Sequence, residues 1–290
     1  MKPLLLGTWI AAMGWCCGQE PLMEKLVLFG GDSAKTWSPA ESMVTPSAER
    51  VKVGKASLHW HVTVDFYGGE KNYPIGWPRF SHAIPEGPQR DWSGWDYLSM
   101  WVYTETSREA LPREPVGLGL YMPDRSSAYS RSLNELKKGE WVEIRIPIAQ
   151  IPRHHDVRSM QFHIAESRYR HGDTLDLYVD DIALLRYARP TLLEFAAENA
   201  VMFAGGRNVP VSFRLAGVKP GRSAEVACEL KRDGRIAART TMRAERGEQR
   251  VTLDAGRGKL APGYYEIVAT VAGNPQPATA RLRLVESPWR

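Results

Sequence analysis

Short runs of alternating or continuously apolar residues recur along this 290-residue chain, each cut by Gly, Pro, Asp or Asn. A repeat of about ten to fifteen residues per run suits strands and turns and excludes any long amphipathic helix. The clearest run is Ser57-Leu-His-Trp-His-Val-Thr-Val-Asp-Phe66. With a period of two, Leu58, Trp60, Val62, Val64 and Phe66 share one face, and His59, His61, Thr63 and Asp65 share the other. Further strands are expected over Lys25–Phe29, Trp77–Ile84, Tyr97–Thr104, Val116–Met122, Tyr129–Leu133, Trp141–Pro147, Val157–Ala165 and Thr174–Tyr187. Single helical turns are expected only at Leu133–Lys138 and Ile148–Ile151. The expected fold class is all-β.

Arg189-Pro190 marks a boundary. Beyond it, runs over Val209–Ala216, Ala224–Leu230, Arg235–Arg243, Gln249–Leu253, Tyr264–Val271 and Thr279–Val285 are separated by the turns Gly217–Gly221, Arg232–Gly234 and Leu260–Tyr264. About a hundred residues with some seven strands suggest an immunoglobulin-like or fibronectin-III-like sandwich. The expected organisation is therefore residues 19–188 as one sandwich and 189–290 as a second, after a leader over 1–18. That leader has Lys2, an apolar stretch from Leu4 to Ala12, and small residues allowing cleavage after Gly14 or Gly18. It implies a secreted, periplasmic or cell-surface protein. Trp15 before Cys16-Cys17 argues against lipidation, and no other apolar run is long enough to span a membrane. Once the leader is removed, Cys228 is the one remaining cysteine, so an internal disulfide is excluded.

The net charge is +5, and the surplus of Lys and Arg falls after Pro190. The run Lys231–Arg250 reads as a solvated face of alternating strands, and no nucleic-acid partner is expected. Every histidine lies before residue 172, as does every tryptophan except Trp289, so chemistry is expected in the first sandwich. His59 and His61 have the i, i+2 spacing of a metal pair, but no third ligand stands out in the sequence, so zinc is not expected.

At Leu175-Asp-Leu-Tyr-Val-Asp-Asp-Ile-Ala-Leu-Leu185 the first domain resembles the closing strand of galactose-binding-like jelly rolls, above all the carbohydrate-binding modules of secreted polysaccharide-degrading proteins. Val53-Gly-Lys-Ala-Ser-Leu-His-Trp60, Asp91-Trp-Ser-Gly-Trp-Asp-Tyr-Leu-Ser-Met-Trp-Val-Tyr103 and Gly139-Glu-Trp-Val-Glu-Ile-Arg-Ile-Pro147 resemble other strands of that family, over roughly residues 25–187. The resemblance implies a jelly roll that binds a polysaccharide or oligosaccharide without catalysis, with a catalytic domain possible beyond this chain. It also implies a structural calcium ion held by Asp180 or Asp181 together with Asp32.

Three segments carry more aromatic and polar groups than a core needs: Tyr73–Arg79, Tyr121–Arg131 and Gln161–His171. A sugar-binding face of Tyr73, Trp77, Arg79, Tyr121, Gln161 and His163 is expected, with Trp77 open to two readings, sugar platform or core cover. Trp92, Trp95, Trp101 and Trp141 are expected in the core. If several of Arg125, Arg131, Arg153, Arg158, Arg168 and Arg170 converge, an acidic or sulfated sugar is favoured. The alternative is an enzyme. Gln161-Phe-His163 resembles the Gln-x-His strand of jelly-roll polysaccharide lyases, in which His or Tyr takes the proton α to a uronate carboxylate. The closely spaced acids of a glycoside hydrolase do not stand out, although Glu166, Asp173 and Asp176 are available. No nucleophile elbow, phosphate loop or dinucleotide fingerprint is present.

Overall fold

The structure is a computed structural model that describes residues 22–68, 76–124, 128–256 and 258–289. The expected leader over 1–18, Tyr73 and Arg125 lie outside the described residues.

The chain is all-β. Strands β1 (Met23–Phe29), β2 (Trp37–Ala40), β3 (Met43–Ser47), β4 (Ser57–Thr63), β5 (Arg79–Ala83), β6 (Tyr97–Thr106), β7 (Gly117–Tyr121), β8 (Tyr129–Ser132), β9 (Trp141–Pro147), β10 (Ser159–His163) and β11 (Thr174–Tyr187) form two antiparallel sheets. One has the order β3-β4-β11-β6-β9, with β1 also on β11; the other runs β2-β5-β10-β7-β8. Trp60, Phe80, Trp92, Phe162 and Leu118 fill the space between them and are fully buried. The sequence does not announce β2 and β3, which carry Pro39 and Pro46; proline lacks the amide that a ladder needs, and both strands sit at sheet edges. Of the two expected helical turns, Ile148–Gln150 is a single 3₁₀ turn and Leu133–Lys138 is not helical.

Strand β11 is 14 residues long and central. Its first half lies between β4 and β6, and its second half between β1 and β6. The change of neighbour falls at a bulge between Asp180 and Ala183, where Asp181 adopts φ 52°.

Beyond residue 190, β12 (Thr191–Ala197), β13 (Val201–Phe203), β14 (Asn208–Ala216), β15 (Ser223–Arg232), β16 (Arg235–Glu245), β17 (Gly247–Asp254), β18 (Gly263–Val271) and β19 (Asn274–Val285) make a second pair of sheets, β12-β14-β17 and β13-β19-β18-β15-β16. Val209, Phe213, Val226, Ile267 and Leu282 belong to a separate apolar core. Cys228 is buried in it, and burial pushes the thiol up to about 11, so it is inert at neutral pH.

Asp96 joins the two sandwiches. It is 4% exposed, and its Oδ2 accepts the backbone amides of Tyr187 at 2.9 Å and Gly217 at 3.3 Å. Its Oδ1 pairs with Arg246 of the second sandwich at 2.9 Å, and Arg246 also donates to the Ser93 carbonyl. Gly217 has no substitute here: it adopts φ 71°, and a Cβ would fall 2.1 Å from the Arg189 carbonyl oxygen. Breaking a buried pair leaves an uncompensated charge, which costs about 3–5 kcal/mol. Arg246→Ala is therefore expected to lower the melting temperature and speed proteolysis near Arg189-Pro190; unchanged cleavage would show that the pair does not couple the sandwiches.

Candidate functional site

In an antiparallel sheet, residues paired across strands point to the same side. His163 in β10 is opposite Arg79 in β5 and Gly117 in β7; Gln161 is opposite Ser81 and Gly119; Ser159 is opposite Tyr121. Arg79, Gln161, His163 and Tyr121 therefore share the outward face of the five-stranded sheet, while Phe80, Phe162 and Leu118 fill the inward one. Serines 38, 130 and 132 and glycines 117 and 119 complete that face with small side chains.

The glycines are there for close approach. A Cβ on Gly117 would lie 2.3 Å from His163 Nε2, and one on Gly119 would lie 3.1 Å from the Tyr121 ring. His163 is thus laid across Gly117 and Tyr121 is folded over Gly119. The signal was present in Gly117-Leu-Gly-Leu-Tyr121, since alternating glycines in a strand mark such approaches. Gln161 points outward as expected yet is only 8% exposed, because its neighbours cover it. The Ser81 hydroxyl donates to Gln161 Oε1 at 3.1 Å, which leaves Gln161 Nε2 buried without a partner. His163 Nδ1 is likewise buried and unpartnered. Buried polar atoms are nearly always satisfied, so two orphans on one face call for an explanation.

Trp77 stands at the rim of this face, half-buried between buried Gly76 and Pro78. Its ring meets His163 edge-on at 5.7 Å, and the Arg79 guanidinium lies 4.9 Å from its centre. Arg79 also donates to the Trp77 carbonyl. Glu41, which the sequence did not single out, accepts the Trp77 amide at 2.6 Å. Glu166 is buried and accepts the Asp65 amide at 3.0 Å; burial pushes its carboxyl above the usual range, against the pull of that bond. Both carboxylates crowd Gly76, where a Cβ would fall within 2.9 Å of each. They hold the loop that carries Trp77. Asp176 lies on the other sheet, and Asp173 accepts the Arg170 amide.

One expectation needs correction. Trp92 is core, but Trp101 and Trp141 stand half-exposed on the outer face of the six-stranded sheet. There Lys52 lies 4.0 Å from the centre of the Trp101 ring, and Trp141 meets Tyr103 at 5.6 Å. Of the arginines considered for an acidic sugar, Arg131 pairs with Glu135, Arg153 with Asp124, Arg158 with Asp156 and Arg168 with Glu114.

The acids expected to hold calcium lie at the β11 bulge, apart from Asp32, which is exposed beyond the end of β1. Asp180 is fully buried; its Oδ2 accepts the Lys52 and Val53 amides at 2.9 Å each, and its Oδ1 makes no hydrogen bond. Asp181 takes the ammonium of Lys25.

No protein-family model matches the chain, and no curated protein matches it. Among solved structures it is similar to the beta-1,2-glucanase from Parabacteroides distasonis, at 15% identity over 90% of this chain and 38% of that one, with a TM-score of 0.40. It is also similar to an exo-beta-agarase (8% identity, 56% of this chain and 25% of that one, TM-score 0.41). A third is the CBM22-1 xylan-binding domain from Paenibacillus barcinonensis Xyn10C (10% identity, 58% and 96%, TM-score 0.32). The chain thus spans well under half the length of the first two.

Burial lowers the pKa of His163, so the folded protein keeps its imidazole neutral where the unfolded chain takes up a proton. Protons bound only by the unfolded state favour unfolding; stability conferred by neutral His163 is lost as pH falls through the unfolded value of about 6.5. The melting temperature of the wild type should therefore drop more steeply than that of His163→Gln between about pH 7 and 5. Parallel curves would show that His163 is not held neutral.

Proposed function

We propose that the outward face of the five-stranded sheet binds a glycan, and that this chain is an exported carbohydrate-binding protein or the accessory region of a polysaccharide-degrading enzyme. One observation carries the reading: Gln161 Nε2 and His163 Nδ1 are unpartnered on a face of small residues rimmed by Trp77 and Tyr121. Sugar rings stack their C–H groups on flat aromatic faces, and their hydroxyls satisfy amides and imidazoles. Rotation of Tyr121 off Gly119 opens a path to Gln161. An open cleft of about 520 Å³ on the second sandwich is a poorer site, lined by Glu194, Arg214, Glu248 and Arg250 with no exposed ring. In this proposal residues 19–188 are a galactose-binding-like jelly roll and residues 189–290 an immunoglobulin-like spacer, a reading supported by the three-plus-five strand division of the second sandwich.

A polysaccharide lyase is the second reading, favoured by Arg79 lying directly opposite a neutral His163, with Gln161 and Tyr121 alongside. A neutral imidazole accepts the proton α to a uronate carboxylate, and the Arg and Gln side chains counter the charge that develops. Two measurements test these readings. On a glycan array and by calorimetry with the glycan found, Trp77→Ala should weaken affinity by about 1–3 kcal/mol, as loss of an aromatic contact does, with the melting temperature nearly kept. A stability loss of about 3–5 kcal/mol would instead make Trp77 a core residue and sink it as a platform. Release of an unsaturated uronate product, abolished in His163→Gln, would establish the lyase.

A structural calcium ion on Asp180 belongs to the same proposal, supported by its unpartnered Oδ1 and weakened by Lys25, which already neutralises Asp181. An ion that binds only the folded state raises the melting temperature. Equal melting temperatures in millimolar calcium and in chelator would remove it.

A further inference from the structure

The outer face of the six-stranded sheet carries a cluster that the glycan reading does not use. His59 and His61 in β4 point outward, and Asp176 in β11 lies directly opposite His61. His59 Nε2 and His61 Nδ1 each approach Asp176 Oδ1 at 2.7 Å. Among the described residues this is the one group of three metal-ligating side chains whose donor atoms lie within 4.8 Å of one another. The third ligand missing from the sequence is 115 positions away from His61 and is delivered by strand pairing.

We propose that His59 Nε2, His61 Nδ1 and Asp176 form a site for a divalent transition-metal ion, zinc above all, with the remaining coordination position open to water. Two imidazoles and one carboxylate suit zinc, whereas calcium takes oxygen ligands. A tetrahedral shell with bonds of about 2.0–2.2 Å spaces its donor atoms about 3.4 Å apart, so each imidazole nitrogen, now 2.7 Å from Asp176 Oδ1, needs to part from it by only about 0.7 Å around the ion.

The surroundings of the cluster are those of a ligand set. Ligating histidines usually have their other ring nitrogen hydrogen-bonded, which fixes tautomer and orientation. His61 Nε2 lies 3.3 Å from the Thr63 hydroxyl, in place to be held when Nδ1 takes the metal. The His59 ring is stacked on Tyr178, centre to centre at 4.4 Å and within 5° of parallel, so it cannot swing away cheaply. The three side chains are 22%, 37% and 27% exposed, which leaves the fourth position facing solvent. Since β4 and β11 are already paired, the ion is not needed to join them. Its open position makes it a site for a donor atom from outside the sheet.

Untagged full-length protein titrated with zinc chloride in a calorimeter should take up one ion per chain. His61→Ala and Asp176→Asn should each weaken binding at least tenfold, while His155→Ala, an exposed histidine outside the cluster, should leave it unchanged. Calcium should not compete. Glycan affinity should be the same in His61→Ala as in the wild type, because the proposed glycan face lies on the other sheet; failure of either proposal thus leaves the other standing. Zinc binding equal to wild type in the His59→Ala/His61→Ala double variant, or none at submillimolar zinc, would overturn the site. If circular dichroism shows that the variants unfold, X-ray absorption on the zinc-loaded wild type decides: a shell with two imidazoles supports the site, and one with none refutes it.

Discussion

Strand β11 is the constraint on which most of the first sandwich depends. Its fourteen residues pair with β4, β6 and β1, and no register shift of one residue is tolerated, because Leu175, Leu177 and Val179 would then leave the core. That fixed register puts Asp176 beside His59 and His61. There burial alone would raise the Asp176 carboxyl, but the bonds from His61 and His59 outweigh it and hold the group below its ordinary value. The bulge that follows turns Asp180 toward the Lys52 and Val53 amides and leaves Asp181 to Lys25. At its far end, Tyr187 gives its amide to Asp96, the residue that also takes Arg246 from the second sandwich.

The two sheets of the first sandwich thus present opposite chemistries. The six-stranded sheet has outward imidazoles, tyrosines and tryptophans with Arg50 and Lys52 laid over the rings. The five-stranded sheet is lined by serines and glycines, and among the described residues its large outward groups are Trp77, Arg79, Gln161, His163 and Tyr121. Small residues make a strand weaker but let side chains lie flat and ligands come near the backbone. The weakness is tolerated because Phe80 and Phe162 stack 5.0 Å apart beneath the face and hold β5 to β10 from the core side.

Trp77 shows how loop residues acquire positions. Gly76, Trp77 and Pro78 lie outside any strand, yet the Trp77 amide is fixed by Glu41 from the turn between β2 and β3. Glu166 closes the other side of Gly76. The loop is held by carboxylates that sequence reading does not single out, because their hydrogen-bond partners are backbone amides that leave no mark in the residue pattern.

The sequence by itself determined the alternation, and with it the all-β class, most strands and the burial of Trp60 and Phe162; side-chain period is a local property, so it is legible without a fold. It also placed Gln161 and His163 outward. What only the tertiary structure decided were pairings between distant strands: Asp176 with the two histidines, Arg246 with Asp96, Glu41 with Trp77. It also decided that Trp101 and Trp141 stand half-exposed outside the core, where Lys52 lies over Trp101 and Tyr103 meets Trp141. Such pairings depend on register and sheet order, which are set by the packing of the whole core and not by the residues at either end of the contact.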